Sequence, residues 1–598
     1  MLTSLLKNLP PYLDTYVIAP VAGDRAYWLS LNQTLSEQVV KRAQSAQKQA
    51  FPPLLATDYL AFSRRGNRVV YETAYFKRRV LLASLVLGYC IKRDEELLTT
   101  IIDGLWAICE ETTWCLPAHN SYIRDTEQLP LADVSRPVID LFSAETGALL
   151  SQTYALIAGD LEQVSPLITK RIINEIGKRI FSPYLSEHFW WMGNGEEPMN
   201  NWTVWCTQNV LLCTFLLPTD QDFRLKVATK ACTSIDCFLK DYGDDGCCSE
   251  GAQYYRHAGL CLYLGLEILN KVSNNTFQEI FKEPKIRNIA SYIRHMHAQG
   301  PYYFNFSDCS SLAGSCTIRE YLFAKAVGDE RLAQFALASS NLREKGERDL
   351  PEQINLTYRL LELVHASEKP VTPSFPQESD HFYPSVGVFI SRDETYALAV
   401  KAGGNDDSHN HNDTGSFTLF KNNKPVLIDV GVETYTKQTF SKDRYGIWTM
   451  RSIYHNLTNF PPYEQLAGRE YRSEIIQRVQ TKGYASISLQ LAEAYDKVAG
   501  IQSYQRTVTH RKGKDIVIEE RVESTHKPVL SLMCLQKPEV QETTIMLGEE
   551  SILIFETPVQ SIDIEEIPIT DARLRTVWPE KLYRILIRYE TNLMFRIQ

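Results

Sequence analysis

Apolar side chains recur at helical spacing from residue 30 to about residue 365. In 72–91 (ETAYFKRRVLLASLVLGYCI), Tyr75, Phe76, Val80, Leu81, Leu85 and Val86 fall close to i, i+4, i+5. That is one face of a helix, and the segment is too long for an ordinary strand. Comparable segments run over 97–111, 138–158, 168–180, 202–217, 222–240, 259–272, 277–297, 318–336 and 352–365. Short loops rich in Gly, Pro, Asn and Asp separate them. So many helices without strands predict a helical barrel or a solenoid of helical hairpins. No fixed-period repeat is recognisable in the sequence.

The period then changes. The stretch 367–380 (SEKPVTPSFPQESD) carries three prolines and reads as a linker. Beyond it, short runs at 386–390, 396–401 and 416–420 alternate in part between apolar and polar residues, the period of a strand. The KNNK turn at 421–424 predicts a hairpin between 417–420 and 426–430, and 507–510 with 516–522 predicts another. Runs at 552–555 and 585–589 continue the pattern. Strands without intervening helices predict an antiparallel β-sandwich. The expected fold is α+β multidomain, with a helical domain over 1–370 and a β-domain over 371–598.

Composition adds exclusions. Of the 598 residues, 44% are hydrophobic and 23% charged, which is globular. A net charge of -9 argues against coating nucleic acid or another polyanion. No run approaches the ~18 apolar residues of a membrane span. The N-terminal MLTSLLKNLPPYLDTYVIAP lacks a basic start and a sustained apolar core, so a cytoplasmic location is expected. Thirteen cysteines without zinc-finger spacing are expected to be buried, reduced thiols.

The densest chemistry lies in 401–420, KAGGNDDSHNHNDTGSFTLF. In an extended chain His409, His411 and Asp413 project to one side, which is hard to explain as core packing. In LIDVG, Asp429 interrupts an apolar strand, and a buried carboxylate needs a cation or a metal. The RSIYHN segment supplies His455. His411, Asp429 and His455 make a ligand set for a divalent ion of the zinc type.

In the helical half, Asn200-Asn201 precede an apolar helix with Trp202, Trp205 and Gln208; one Asn suits the N-cap, leaving the other for a ligand. The segment 250–263 concentrates Tyr254, Tyr255, Arg256 and His257. Trp114 and His119 flank a Pro turn in a loop, where ligand contacts concentrate.

These motifs resemble the heparinase II/III-like superfamily of polysaccharide lyases. The resemblance rests on SHNHNDTGSF at 408–417, PVLIDVG at 425–431, RSIYHN at 451–456, NNW at 200–202 and EGAQYYRHAG at 250–259. It implies an incomplete (α/α) toroid followed by an antiparallel β-sandwich, and β-elimination of uronate-containing polysaccharides. It assigns His409 as catalytic, His411, Asp429 and His455 as metal ligands, and Asn201 as the group that neutralises the uronate carboxylate. It leaves Tyr254 and Tyr255 both open as the tyrosine acid/base. The family often has a His beside the Asn; here Asn200 stands there, so that role is absent or falls to His257 or His119.

The chemistry has its own logic. Removing the proton alpha to a carboxylate requires that carboxylate to be neutralised by donors, for which Asn201, with Gln208 or His257, is suited. An acidic glycan partner is reconciled with the net charge through local cations at Arg124, Arg136, Arg256, Lys401, Arg444 and Arg451. His119, Trp114, Trp202, Gln208, Arg256 and Arg451 are the expected substrate contacts. Two other readings remain: a glycoside hydrolase using a carboxylate pair from Glu196, Glu197, Asp244, Asp245 and Glu250, and a glycan-binding protein without catalysis. The oligomeric state is not readable from the sequence.

Overall fold

The computed structural model describes residues 1–598 except 125, 127, 342–353, 367–374 and 408. Most of the expected linker, the start of the expected 352–365 helix, and Ser408 therefore lie outside the described residues. The chain forms two compact units. One comprises Met1–Tyr242, Arg256–Ala290 and Cys316–Phe375; the other comprises Gly243–Tyr255, Ser291–Ser315 and Pro376–Gln598. Two pieces of the helix-rich sequence thus belong with the strand-rich unit.

The first unit is helical. Its long helices include Val69–Lys92, Leu141–Val164, Asn201–Leu216 and Gln221–Asp241. Two helices, Gln33–Gln47 and Ala56–Arg65, precede the first of the segments singled out in the sequence. The expected 277–297 helix is a 3₁₀ turn, Gln278–Lys282, followed by Pro284–Met296. Pro284 has no N–H to continue the first turn and instead opens the second. The expected 318–336 helix breaks at Gly328, which takes the left-handed conformation at φ 72°.

Asn201–Leu216 is buried along nearly its whole length, polar residues included. Two of its polar side chains bond to the segment that begins at Asn355. Gln208 accepts from the Tyr358 hydroxyl at 2.8 Å, and Asn209 accepts from Asn355 at 2.9 Å. A hydrophobic stripe alone does not specify this helix; the bonds of Gln208 and Asn209 help fix its rotation.

The second unit carries antiparallel sheets. A five-stranded sheet orders His381–Tyr383, Val388–Arg392, Tyr396–Lys401, Phe417–Lys421 and Lys424–Leu427. The expected KNNK hairpin is present: Lys421 pairs Lys424, and Asn422 and Asn423 both take positive φ, 50° and 65°. That is the backbone of a tight two-residue hairpin turn, which Asn tolerates. The second expected hairpin is the pair Ile501–Arg511 and Asp515–Ser524, within an eight-stranded sheet. A four-stranded sheet and two two-stranded sheets make up the rest of the unit's sheets among the described residues. One apolar core joins Phe389, Leu398, Phe417 and Leu419 to Ile487, Tyr504, Ile518, Leu532 and Phe595 from the other sheets. All thirteen cysteines are free thiols, twelve of them buried.

One buried group makes stability depend on pH. Burial, and then the Arg392 charge, push the His381 imidazole down to about 4. The unfolded chain therefore takes up a proton on His381 below its ordinary value near 6.5, while the folded chain stays neutral until about 4. Its contribution is present above 6.5 and is lost as pH falls toward 4. His381→Gln should accordingly cost about 1–2 kcal/mol less at pH 5 than at pH 7.5. Urea midpoints of both proteins at the two pH values measure this; equal differences at both would refute it.

Candidate functional site

Within the second unit, four donors converge on one carboxylate. Asp308 is fully buried. Its Oδ2 accepts from His409 Nδ1 at 2.7 Å and from the Tyr435 hydroxyl at 3.0 Å. Its Oδ1 accepts from His411 Nε2 at 3.1 Å and from Arg444 Nη2 at 2.6 Å. Burial alone would raise its pKa, but the hydrogen bonds from His409 and His411 outweigh it and hold the carboxyl well below the usual range. Burial likewise opposes a charge on His409, yet the bonds to Asp308 and Glu250 hold that imidazole well above its ordinary value. Glu250 Oε2 lies 3.4 Å from His409 Nε2.

Tyr254 completes the group. Its ring stacks on His409 with centroids 4.9 Å apart, and its hydroxyl meets that of Tyr435 in a short hydrogen bond. Because Tyr435 donates to Asp308, the hydroxyl between them receives from Tyr254. The Arg573 guanidinium covers the Tyr435 ring at 4.6 Å.

Local contacts hold these side chains. Ser310 N–H donates to Gln253 Oε1 at 3.1 Å, and Gly251 is left-handed at φ 89° with no room for a Cβ beside Cys309. The loop bearing Tyr254 is thereby locked to the loop bearing Asp308. Asn305 Nδ2 donates to the Asp429 carbonyl at 3.0 Å, joining that loop to the LIDVG segment. The His409 loop departs from the extended chain expected for it. His409 is left-handed at φ 58°, so the alternation argument fails. Asp413 does not face Asp308; it pairs with buried Lys401 at 2.8 Å. Asn405 caps the loop by accepting from Thr414 Oγ1 at 2.9 Å.

His411, Asp429 and His455 each offer a ligand atom within 4.8 Å of the others, and all are buried. His455 Nδ1 lies 2.8 Å from Asp429 Oδ2. Gly431 N–H donates to Asp429 Oδ1 at 2.8 Å. Burial opposes charge on Asp429, but the His455 and His411 charges lower it overall. His411 Nδ1 and His455 Nε2 are buried without a hydrogen-bond partner. Two orphaned imidazole nitrogens beside a carboxylate fit a divalent ion of the zinc type.

The first unit places the other expected residues. Asn200 is the N-cap, accepting from Trp202 N–H at 3.0 Å, which leaves Asn201 as the first helical residue, 5% exposed. His119 Nδ1 lies 2.8 Å from Asp140, and its ring meets Trp202 edge-on at 4.8 Å. His257 stacks on Trp205 at 3.8 Å.

Several expected contacts are corrected. Tyr255 is fully buried and tilted against Tyr292 at 5.7 Å, so of the two tyrosines it is Tyr254 that faces His409. Trp114 is buried and donates to the Ile108 carbonyl at 3.0 Å. Gln208 is buried against Tyr358 and Asn209. Neither side chain reaches a surface where glycan can lie. Arg256 is buried, 3.8 Å from Glu320, and Arg451 is bound by Glu464. Lys401 and Arg444 are equally committed, to Asp407 and Asp413 and to Asp308. Three of the six expected local cations, Arg256, Lys401 and Arg444, are thus buried in ion pairs, while the side chains of Arg136 and Arg451 stay 52% and 38% exposed. Among the hydrolase carboxylates, Asp245 is held by Ser385.

Sequence reasoning missed Asp308, Tyr435 and Arg573. Asp308 sits in NFSDCSS between Ser307 and Cys309, with no metal-like spacing and no local pattern that marks it. Tyr435 carried none.

Comparison with known proteins follows the same lines. Residues 376–566 match the family model for "Heparinase II/III-like, C-terminal". Among solved structures, the chain is similar to heparinase III at TM-score 0.67 and 10% identity, over 100% of this chain and 88% of that one. It is similar to a mutant of the heparan sulfate lyase HepC from Pedobacter heparinus at TM-score 0.59 and 12% identity, over 94% and 88%. It is also similar to the chondroitin AC lyase of Streptomyces coelicolor A3 at TM-score 0.50 and 10% identity, over 94% and 82%. No curated protein matches. At these identities the structural likeness is one of fold. The match over 376–566 and the shared fold bear out the resemblance read in the motifs: residues 376–566 carry the heparinase II/III-like C-terminal domain, and the chain as a whole shares the fold of these lyases.

Proposed function

We propose that this protein is a polysaccharide lyase that cleaves 4-linked, uronate-containing glycans of the glycosaminoglycan type by β-elimination. The observation that carries the reading is the Tyr254–His409 stack, tied through Tyr435 and Asp308 into one hydrogen-bonded group. The names of the similar structures, heparinase III, heparan sulfate lyase and chondroitin AC lyase, support the substrate class. In this reading the helices form an incomplete (α/α) toroid and the sheets a β-sandwich.

The reaction breaks the C–H bond alpha to the uronate carboxylate. Its electron pair forms the ring double bond, and the bond to the 4-linked oxygen breaks. Tyr254, in its phenolate form, takes that proton and as the phenol so formed returns it to the leaving oxygen, or the charged His409 protonates the leaving oxygen in its place. Positive charge on His409 and Arg573 stands beside the hydroxyl pair, so negative charge passing through Tyr254 is compensated. Asn201 is assigned to the uronate carboxylate, whose developing charge its amide can stabilise.

His411, Asp429 and His455 would hold a zinc-type ion, which when bound supplies a fixed positive charge that organises their loops. Removing it with a chelator should lower the thermal midpoint, and adding zinc back should restore it. A midpoint indifferent to both, with no divalent ion found by elemental analysis, would dismiss the metal.

The reading itself is tested by digesting a panel of heparan, chondroitin, hyaluronan and alginate polymers and their oligosaccharides. Elimination creates an unsaturated uronate with a new ultraviolet band. New reducing ends without that band would point to hydrolysis instead.

A further inference from the structure

The active-site histidine and the metal-site histidine share an anchor. His409 and His411 leave the backbone two residues apart, on a loop whose first histidine is in the left-handed conformation. Their rings nevertheless reach the two oxygens of one carboxylate, His409 Nδ1 at Oδ2 and His411 Nε2 at Oδ1, 2.7 and 3.1 Å away. An ionised carboxylate only accepts hydrogen bonds, so both facing nitrogens carry hydrogen. That fixes which nitrogen of each ring is left for work. His409 turns Nε2 away from Asp308 and toward Glu250 Oε2, 3.4 Å away, and His411 turns Nδ1 away, an atom that is buried and unpartnered.

The anchor is itself held. Arg444 Nη2 donates to the same Oδ1 at 2.6 Å, while its Nε donates to the Asn410 carbonyl between the two histidines at 3.1 Å. Arg573 Nη2 donates to the Asp308 carbonyl at 3.1 Å. Both carboxylate oxygens are thereby saturated, and the side chain is fully buried. It is therefore not a base for substrate.

We propose that Asp308 is the positioning residue of the reaction, setting the ring orientation and tautomer of His409 and His411 together. It couples the two histidines, so that the metal ligand and the catalytic imidazole are oriented by one group. Carboxylates that orient a catalytic or metal-binding imidazole are worth about 10–10⁴-fold in function when neutralised. The inference deepens the lyase reading and, for its kinetic part, rests on it.

The test compares wild type, Asp308→Asn and His409→Ala. An amide offers one acceptor where the carboxylate offers two, so it cannot serve both rings. Asp308→Asn is expected to lower kcat on a competent glycan by about 10²–10⁴-fold with KM within about threefold. A kcat within threefold of wild type overturns the proposal. The second measurement is nitrogen-15 NMR of selectively labelled histidine in the unmodified protein. It should report hydrogen on Nδ1 of His409, with Nε2 protonated as well while the ring is charged, and on Nε2 of His411, each assigned by its alanine variant. The opposite tautomer on either ring overturns the proposal even if Asp308→Asn does not fold. If wild type yields no ultraviolet product on any polymer, the lyase reading fails by itself. The tautomers, and their joint change in folded Asp308→Asn, then decide the positioning role alone.

Discussion

Replacing Tyr254 with phenylalanine is expected to lower kcat on a competent uronate glycan by about 10²–10⁴-fold, with KM changed little. The ring stays, so its stack on His409 at 4.9 Å is kept and the shape of the site is preserved. Only the hydroxyl is lost, and with it the proton acceptor and the bond to Tyr435. An interaction made only during proton transfer appears in kcat, not in substrate binding. Tyr255→Phe is the matched control. Its ring is packed against Tyr292 away from solvent, so any effect should appear as lost stability with kcat retained. Steady-state rates by absorbance, with thermal midpoints alongside, decide the matter. Full turnover in Tyr254→Phe, or a selective kcat loss in Tyr255→Phe, would reverse the assignment.

The largest loss of stability is expected from Arg506→Leu. Arg506 and Glu520 face each other across the Ile501–Arg511 and Asp515–Ser524 hairpin, both fully buried. Arg506 Nε and Nη2 donate to Glu520 Oε1 at 2.9 and 2.5 Å. Its Nη1 donates to the carbonyls of Gly415 and Asn456, at 2.6 and 2.7 Å. Those carbonyls end the loop that carries His411 and follow His455 directly. One guanidinium therefore neutralises a buried carboxylate and ties two metal-site segments to the sheet. Leucine leaves that carboxylate buried and uncompensated, at a cost of about 3–5 kcal/mol. Arg506→Lys keeps a charge but lacks the planar fork needed for these bonds, so it should recover only part. Arg506→Leu combined with Glu520→Leu removes both charges and should restore much of the loss. Denaturant midpoints measure all three variants. A shift below about 1 kcal/mol in Arg506→Leu would show that the pair does not hold the unit together.

Much of the site was legible because its chemistry is local. His409, His411, Asp429 and His455 lie in short motifs; His409 and His411 share Asp308, and His411, Asp429 and His455 bring ligand-type atoms within 4.8 Å of one another. The choice between Asn200 and Asn201 was half legible: either side chain can cap a helix, and only the backbone decides that Asn200 does. Tyr254 and Tyr255 are adjacent and chemically identical, so no pattern separates them. The fold does, by turning one ring onto His409 and the other into the core. Trp114 and Gln208 misled for the opposite reason. A Trp in a loop and a Gln after a cap look available, but availability is a property of packing.

Periodicity was enough to place most helices and strands, because each element buries one face and its pattern repeats along the chain. Pro284 and Gly328 broke two expected helices, since a single residue can end a helix without disturbing the apolar stripe on either side. The sequence by itself determined the α+β order, the motif residues and the reduced thiols. Only the tertiary structure decided that Asp308 would receive His409, His411, Tyr435 and Arg444. Those residues lie 101, 103, 127 and 136 positions from it along the chain. Hydrogen bonding across such separations leaves no periodic trace, because the geometry exists only after the loops have closed.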